Sequence, residues 1–305
     1  MQAPSVASKW RRGIPAEGPL LSVRGLCKYF PIHAPGIRRQ VTGQTRAVEN
    51  LSFDVASGES LGLVGESGCG KTTTARCILR AIEPTTGAVI FRLPDRRTVD
   101  LARLSNRELK PIRQHAQMVF QDPFSSLNPR MTVRDIVGEP LVIHGLARGL
   151  EIDDRVSEVL SRVGLKPEHR SRYPHAFSGG QRQRIGIARA LIMRPSLIVC
   201  DEATSALDVS VQAQVLDLLK ELQRDFRLTY LFVAHNLDVV RNFCDRVAVM
   251  RKGRIVELAP TTDIFATPQH PYTKILLSAV PSPDPDVRMN FNVGEDLARL
   301  DAGGG

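Results

Sequence analysis

This 305-residue sequence lacks several features of membrane-embedded and secreted proteins. No apolar run approaches the length that spans a bilayer. Residues 1–19 contain basic side chains but no apolar segment after them, so they do not resemble a secretory signal. The five cysteines show no CxxC spacing, which argues against a zinc site and favours reduced thiols. We therefore expect a protein that stays in the cytosol, with residues 1–19 as a mobile N-terminal tail.

The composition is that of an ordinary globular protein and does not identify a partner. Apolar residues make up 42% of the chain and charged residues 24%, the usual balance for a chain with a buried core. The net charge of +9 is compatible with nucleic acid or an anionic membrane surface as a partner. Because the basic residues are scattered, the charge does not decide between these partners and a solvated basic surface.

Residues 65–72 fit the phosphate-binding loop pattern, in which glycines precede a lysine and a hydroxyl residue. Residues 60–64 before it are typical of a buried strand and residues 73–79 of a helix, the setting that the pattern requires. Backbone N–H groups of such a loop converge on an anion. Lys71 is expected to bridge the β- and γ-phosphates of a nucleotide, and Thr72 to hold Mg²⁺. The predicted nucleotide-binding residues here are Gly65, Glu66, Ser67, Gly68, Cys69, Gly70, Lys71, Thr72 and Thr73.

Alternating strand and helix patterns predict an α/β domain with a largely parallel sheet. The predicted strands are residues 20–23, 47–55, 60–64, 88–92, 197–200 and 229–234. The predicted helices are residues 73–79, 179–193, 211–226 and 237–244. We also expect a loop at residues 31–46, a helical insertion at residues 123–174 and a hairpin turn at Lys252-Gly253.

Two carboxylates, Asp201 and Glu202, follow the apolar strand at residues 197–200. In open α/β sheets, ligands bind beyond the carboxyl ends of the strands, and the phosphate-binding loop also follows a strand. Asp201 is therefore placed to hold Mg²⁺, and Glu202 can accept a proton from an attacking water. Adjacent carboxylates at a buried strand end are costly without a cation, which disfavours a purely structural role.

A second candidate anion site lies at Ser178, Gly179, Gly180 and Gln181, with Ser178 as the N-cap of an arginine-rich helix. One chain needs no second site for one phosphate tail, unless the second serves the nucleotide of another chain. At this point the sequence resembles the ATP-binding subunit of an ATP-binding cassette (ABC) transporter. In this resemblance residues 65–72 are the Walker A loop, residues 197–201 the Walker B segment and residues 178–181 the signature.

The resemblance extends over residues 20–258 and implies the fold of the ABC ATPase domain. Gln121 matches the Q-loop glutamine, residues 205–208 match the D-loop that ends in Asp208, and His235 matches the switch histidine. The implied fold is a P-loop NTPase (RecA-like) core with a mainly parallel sheet and an antiparallel β subdomain. An α-helical subdomain would be inserted at about residues 123–183.

The resemblance also implies catalytic roles. Glu202 would be the general base for water attack on the γ-phosphate, and His235 would bind that phosphate and position the water. Gln121 would reach Mg²⁺ or the water and report the nucleotide state to the helical insertion. Phe30 occupies the position of the aromatic residue that stacks on adenine; Tyr29 is the alternative, and a structural role for Phe30 is open.

The partners implied by the resemblance begin with a second ATPase subunit, identical or not. In this family two subunits dimerise head to tail, so that residues 178–181 and Asp208 of one would close on the ATP of the other. Two integral membrane permeases, and indirectly a solute-binding protein, complete the expected assembly at the cytoplasmic face of the membrane. The permease would dock on the helical insertion, and no nucleic-acid partner is expected.

Four longer stretches resemble the oligopeptide, dipeptide and nickel import subfamily, which makes peptides the expected cargo: residues 120–129, 172–175, 205–215 and 270–273. The last lies in a C-terminal extension, residues 259–305, where we expect a turn that docks the extension instead of a ligand site. No cysteine follows Cys244, so we expect no iron–sulfur cluster of the kind that members often hold there.

An alternative from another class is a soluble cassette ATPase that acts on nucleic acid or ribosomes, which would suit the positive charge. Such proteins usually carry tandem cassettes, a zinc insertion or a long coiled coil, and this sequence has none of these.

Cys69 is a candidate reactive thiol, because it lies at a helix N-terminus beside Lys71. This position predicts a lowered thiol pKa and inhibition of the ATPase by alkylation. The competing interpretation is a small loop residue without reactivity.

Overall fold

The computed structural model describes residues 18–33, 41–122, 125–205 and 207–279; most of the predicted N-terminal tail and residues 280–305 of the extension lie outside them. The strands of these ranges are β1 (Leu21–His33), β2 (Val41–Val55), β3 (Ser60–Val64), β4 (Thr86–Arg92), β5 (Thr98–Asp100), β6 (Ala116–Val119), β7 (Leu197–Asp201), β8 (Thr229–Val233), β9 (Arg246–Arg251) and β10 (Arg254–Pro260). The α-helices are α1 (Lys71–Ile78), α2 (Asn106–Arg113), α3 (Val133–His144), α4 (Leu150–Arg162), α5 (Gly179–Leu191), α6 (Val209–Phe226), α7 (Leu237–Phe243), α8 (Thr261–Ala266) and α9 (Pro271–Ser278). None of these helices combines the length and the apolar content that crossing a bilayer requires.

The larger sheet contains six strands in the order β10-β9-β3-β8-β7-β6. All neighbouring pairs are parallel except β10 and β9, which form the hairpin predicted at Lys252-Gly253. Strands β3, β7 and β8 are buried along their whole length, as their continuous apolar runs predict. The segments that follow β3, β8, β7 and β6 therefore leave the sheet at one edge, and the predicted parallel sheet is confirmed.

Alternate residues of the parallel strands enter two different cores, because successive side chains of a strand point to opposite faces. On β7, Leu197 and Val199 pack in the core that contains α1 and the smaller sheet. Ile198 and Cys200 pack in the core that contains α5, α6 and the helical insertion. The larger sheet is thus the middle layer of the molecule, with a core on each of its faces.

The smaller sheet is antiparallel, with strand order β2-β1-β4-β5. The loop expected at residues 31–46 is wrong in part, because β1 continues to His33 and β2 begins at Val41. Pro31 suggested a loop. However, β4 pairs with β1 only as far as Cys27, so Pro31 lies where the strand has one partner and proline is tolerated.

The helical insertion is confirmed as helices α3 and α4 and the 3₁₀ helices Pro167–Ser171 and Pro174–Ala176. Thr132 accepts a hydrogen bond from the backbone N–H of Asp135 and so caps α3. Gly145 ends the helix in a left-handed conformation. The insertion leads into α5, which begins at the predicted N-cap, Ser178.

Four elements of the described chain were not predicted, namely β5, α2, β6 and α8, and α9 was expected only as a turn. Helix α2 has a local start signal, the capping box of Ser105 and Glu108, but it buries only Leu109 and contains Pro111. Strand β6 is four residues long and mostly half-buried, and it is defined by its pairing with β7. Strands β5 and β6 depend on tertiary partners that local sequence patterns do not report.

Candidate functional site

The loop at residues 65–72 lies between β3 and α1 and is enclosed by other parts of the chain. A Cβ atom at Gly65 would lie 2.1 Å from the carbonyl oxygen of Met250, and one at Gly70 would lie 2.1 Å from that of Ala47. Gly70 also has a positive φ of 107°. Glycine is therefore required at both positions for the backbone to follow this path.

The start of α1 is open to an anion. Its N-cap, Gly70, supplies no side-chain hydrogen bond. Within the described chain, the backbone N–H groups of Thr72 and Thr73 make no hydrogen bond. By contrast, side chains cap the helices that begin at Asn106, Val133, Gly179, Val209, Leu237 and Pro271. Unpaired N–H groups at the positive end of a helix form a phosphate site.

Lys71 lies over the same loop and is well buried, at 5% exposure. Its Nζ donates to the carbonyl oxygen of Gly65 at 2.7 Å and to that of Glu66 at 2.8 Å. Because a buried ammonium must be hydrogen-bonded, these carbonyls hold the positive charge at the loop. The loop thus presents a cation and unpaired N–H groups together, which suits a polyphosphate.

Asp201 and Thr72 form the contact between the Walker B strand and the phosphate-binding loop. The Thr72 hydroxyl donates to Asp201 Oδ1 at 2.9 Å, and Asp201 is 2% exposed. Burial raises the pKa of Asp201, and the hydrogen bond from Thr72 opposes this shift. A hydroxyl and a carboxylate oxygen in contact are a donor set suited to Mg²⁺, so the residues present fit the ion.

Glu202, Gln121 and His235 meet just beyond the ends of β7, β6 and β8. Gln121 Nε2 donates to Glu202 Oε2 at 2.7 Å, and His235 Nδ1 lies 3.4 Å from the same oxygen. Glu202 has a φ of 49°, a strained conformation for this residue type, and its N–H donates to the carbonyl oxygen of Val233. No hydrogen bond from the described residues reaches Glu202 Oε1. That oxygen can accept a proton from a water.

The signature residues lie on a different part of the fold. Ser178 and Gln181 form a capping box: Ser178 Oγ accepts from Gln181 N at 3.4 Å, and Gln181 Oε1 accepts from Ser178 N at 3.1 Å. Gly179 is the first residue of α5, and Gly180 packs against α6. Helix α5, which begins at the signature, packs in the core on one face of the larger sheet, whereas α1 packs in the core on the other face. In the described chain no hydrogen bond joins the signature to residues 65–72.

Asp208, at the end of the D-loop, caps α6 beside the signature helix. Its Oδ1 accepts from the backbone N–H of Val211 at 2.9 Å and from the Ser210 hydroxyl at 2.7 Å. The bond from Val211, followed by that from Ser210, lowers the pKa of Asp208. Val211 also lies close to Gly180, so Asp208 and the signature share one surface. Ala206 of the D-loop lies outside the described residues.

Tyr29 and Phe30 are neighbours on β1, so their side chains point to opposite faces of the smaller sheet. Phe30 is 37% exposed, with Lys28 Nζ 4.9 Å from its ring centroid. The guanidinium carbon of Arg46 lies 5.7 Å from the Tyr29 centroid. An exposed ring is available to stack on a base. Stacking of Phe30 on adenine stays a prediction, with Tyr29 as the alternative.

The lowered thiol pKa predicted for Cys69 is wrong. Burial raises the pKa of this thiol and outweighs the opposing charge of Lys71, although Lys71 Nζ lies only 3.9 Å from Sγ. The helix N-terminus does not compensate for removal of the thiolate from water, and the competing interpretation of a small loop residue is favoured.

Residues 270–273, expected as a turn, are instead the N-cap and first turn of helix α9: His270 caps the helix by accepting a hydrogen bond from Tyr272 N at its Nδ1, at 3.1 Å. What the sequence did not predict is where α9 docks. The Tyr272 hydroxyl accepts a hydrogen bond from the backbone N–H of Glu66 at 3.1 Å. The partners are 206 positions apart, and the one available signal was an aromatic residue in a motif beyond the ATPase core.

Comparisons with known proteins agree with this geometry. A family model described as ABC transporter matches residues 48–205, and one described as the C-terminal region of oligopeptide/dipeptide transporters matches residues 256–303. The oligopeptide transport ATP-binding protein OppF of Bacillus subtilis is 55% identical over 249 residues, which cover 81% of this chain and 80% of the relative. AppF of the same organism, also an oligopeptide transport ATP-binding protein, is 51% identical over 263 residues, or 86% and 78% of the two chains.

A solved structure shares the fold. The ATP-binding cassette MJ0796, a dimer in a post-hydrolysis state bound to ADP and Pi, gives a TM-score of 0.67 at 28% identity over 79% of this chain and 98% of that chain. Fold and phosphate-binding loop together define a P-loop nucleotide hydrolase. Within that class, the chain belongs to the ABC transporter family as an ATP-binding, ATP-hydrolysing subunit. The predicted fold, family and ATPase activity are confirmed, and the nucleic-acid alternative is not favoured.

Proposed function

We propose that this subunit hydrolyses MgATP to power the import of di- or oligopeptides through membrane permeases. The observation that carries the catalytic part is the meeting of Glu202 with Gln121 and His235 at the sheet edge where the phosphate-binding loop also lies. The peptide cargo is supported by the C-terminal family match and by the oligopeptide relatives OppF and AppF.

At the phosphates, this chain supplies N–H groups and one ammonium group. The backbone N–H groups of Thr72 and Thr73 bind phosphate oxygens, and the Lys71 ammonium, held by the carbonyls of Gly65 and Glu66, directs its remaining N–H at the β- and γ-phosphates. Thr72 and Asp201 would hold Mg²⁺, whose charge would offset the negative charge of the triphosphate. The remaining loop residues, Gly65 to Gly70, shape the backbone that lets these groups converge.

Glu202 acts as the general base for the attacking water. Its Oε2 is held by Gln121 and His235, and these two contacts fix the direction of Oε1. A base must lie within hydrogen-bond reach of the proton it removes, so this orientation matters for the rate. His235, 52% exposed, is accessible to a γ-phosphate from the same side.

The signature and Asp208 serve the nucleotide of a second subunit. In the described chain no hydrogen bond joins the signature to the phosphate-binding loop, and the exposed position of Val209 beside Asp208 supports a surface that another chain covers. The solved MJ0796 cassette is dimeric. A nucleotide site formed by the phosphate-binding loop of one subunit and the signature of another is called the composite site. Its chemistry would be the same whether the second subunit is a copy of this chain or a related cassette.

Permease subunits dock on the helical insertion at the cytoplasmic face of the membrane. This part of the chain exposes several large apolar side chains: Val142, Ile143, Leu146 and Leu150. An exposed apolar patch on an otherwise polar surface is a feature of interaction sites. A solute-binding protein would deliver the peptide on the other side of the membrane, and nucleic acid is not a partner in this scheme.

The catalytic proposal is tested by Glu202→Gln, which keeps the side-chain shape but removes the base. We expect ATP binding to be retained and turnover to fall by about 10²-fold or more. Glu151→Gln is the matched control, because Glu151 is an exposed partner of Arg155 and such pairs contribute little. Turnover near the wild-type level in Glu202→Gln would remove Glu202 from the mechanism.

The transport proposal is tested by reconstitution of the subunit with its permeases and solute-binding protein in liposomes. Uptake of labelled di- or oligopeptides should require MgATP on the side of the membrane that the subunit faces, and should be lost with Glu202→Gln. Copurification offers a simpler first measurement: recovery with integral membrane proteins supports the proposal, whereas recovery with nucleic acid would revive the alternative.

A further inference from the structure

The C-terminal helix α9 reaches the phosphate-binding loop through Tyr272. This side chain has no exposed surface, although it lies in the first turn of the helix. Its hydroxyl oxygen accepts a hydrogen bond from the backbone N–H of Glu66 at 3.1 Å. The contact therefore falls on the peptide unit that joins Gly65 to Glu66.

The same peptide unit holds Lys71 from its other side. The carbonyl oxygen of Gly65 accepts a hydrogen bond from Lys71 Nζ at 2.7 Å. Because a trans peptide is planar, its N–H and C=O point in opposite directions. A bond that fixes the N–H toward Tyr272 thus fixes the C=O toward Lys71. Tyr272 and the lysine ammonium hold one peptide plane at its two ends.

The tyrosine is itself held firmly. The guanidinium carbon of Arg251 lies 5.0 Å from the ring centroid, within the range of a cation–π interaction. Burial raises the pKa of Tyr272 to about 12, so the hydroxyl is neutral at physiological pH. A neutral phenol can accept the backbone N–H of Glu66 and places no charge of its own beside the loop.

The start of α9 is anchored to β10 by a pair of hydrogen bonds. The Glu257 carboxylate accepts from the backbone N–H groups of Gln269 at 2.9 Å and His270 at 3.0 Å. The hairpin that leads into β10 contacts the loop as well, since Gly253 N donates to the carbonyl oxygen of Cys69 at 2.9 Å. The C-terminal part of the chain therefore supports the phosphate-binding loop at two points.

We propose that Tyr272 is a positioning residue for Lys71, and that through it the C-terminal extension sets the affinity of the subunit for nucleotide. The proposal rests on nucleotide binding at residues 65–72, as in the proposed function. By reciprocity, nucleotide binding must also change the stability of the α9 docking contact.

The variant Tyr272→Phe tests the role by removing only the hydroxyl and keeping the ring against Arg251. We expect the Kd for MgADP, measured by calorimetry on the full chain, to rise about two- to tenfold, the effect of one lost hydrogen bond. Exchange of the Glu66 amide hydrogen should be faster than in the wild type. A hydrogen bond that only stabilises the fold elsewhere should not change the Kd for MgADP, so this measurement separates the two roles.

Tyr230→Phe is the matched control. Tyr230 is also fully buried, and its hydroxyl donates to the carbonyl oxygen of Leu219 at 3.0 Å, on the face of the sheet that α6 covers. Each variant loses one hydrogen bond between a buried tyrosine hydroxyl and the backbone, but only Tyr272→Phe should weaken MgADP binding. An unchanged Kd in Tyr272→Phe, or an equal rise in Tyr230→Phe, would contradict the positioning role.

A measurement on the wild-type chain needs no variant to fold. MgADP should slow hydrogen exchange of the backbone amides in α9. Equal exchange rates with and without MgADP would contradict the coupling between nucleotide binding and α9 docking. If the wild-type chain and Tyr272→Phe bind MgADP equally well, the positioning role is contradicted but the proposed function is not. A wild-type chain that binds no nucleotide contradicts the proposed function as well.

Discussion

Cys69 and Cys27 differ in thiol chemistry, although both are 8% exposed and each lies close to a lysine in sequence. Burial raises the pKa of Cys69 despite Lys71. At Cys27 burial also acts to raise the pKa, but hydrogen bonds with Thr86, the Asn50 backbone and Tyr29 together outweigh it, and the pKa is lowered. At the residue scale, the depth of burial and the local hydrogen bonds together decide which thiol forms a thiolate.

This difference predicts an order of modification. Under limiting iodoacetamide at slightly alkaline pH, Cys27 should be alkylated before Cys69, because the thiolate is the reactive form. Peptide mass spectrometry over a time course gives the order directly, and Cys27→Ser should remove the early phase. Alkylation of Cys69 ahead of Cys27 would show that burial does not control this thiol.

At the scale of elements, the packing of α5 on α6 depends on Gly180. A Cβ atom at this position would lie 2.3 Å from Val211 Cγ1, closer than real contacts allow. At Gly186, on the same helix, a Cβ atom would meet no atom of a neighbouring element within 4 Å. Gly180 and Gly186, two of the three glycines of α5, therefore differ in what an added methyl group would contact.

Gly180→Ala should destabilise the chain by about 1–3 kcal/mol, since the two helices must move apart to admit the methyl group. Gly186→Ala is the control and should be neutral or stabilising by up to about 1 kcal/mol, because alanine is the better helix former. Chemical denaturation in the absence of nucleotide measures both. Equal stability of the two variants would show that the close approach of α5 to α6 is not required.

Elements with their own sequence signals were predictable, and elements defined by partners were not. The run at residues 197–200 and the N-cap Ser178 each indicated their structure locally. The sequence around Pro31 did not indicate that β1 pairs with β2 there, because proline usually signals a loop unless the pairing of the strand is already known. The same limit applies to the site: the motif residues were found by resemblance, but the contact of Tyr272 with Glu66 arises only in the folded chain.

At the scale of the whole molecule, we propose that the chain holds two parts of a site that two subunits share. The phosphate-binding loop is linked by a hydrogen bond to Asp201. The capping hydrogen bonds of the signature join only Ser178 and Gln181 at the start of α5. Val209, beside Asp208, is 83% exposed, so its side chain is accessible to a second subunit. Association of two subunits would cover it and complete both sites.

The most direct test of this account is the oligomeric state of Glu202→Gln with saturating MgATP, measured by light scattering, alone and with its natural partner cassette. We predict a dimer with ATP and a monomer without it, in at least one of these mixtures. Adding Ser178→Arg should abolish the dimer and leave ATP binding intact, because Ser178 would act only on the partner's nucleotide. A strictly monomeric Glu202→Gln in both mixtures, with ATP bound, would contradict the composite site.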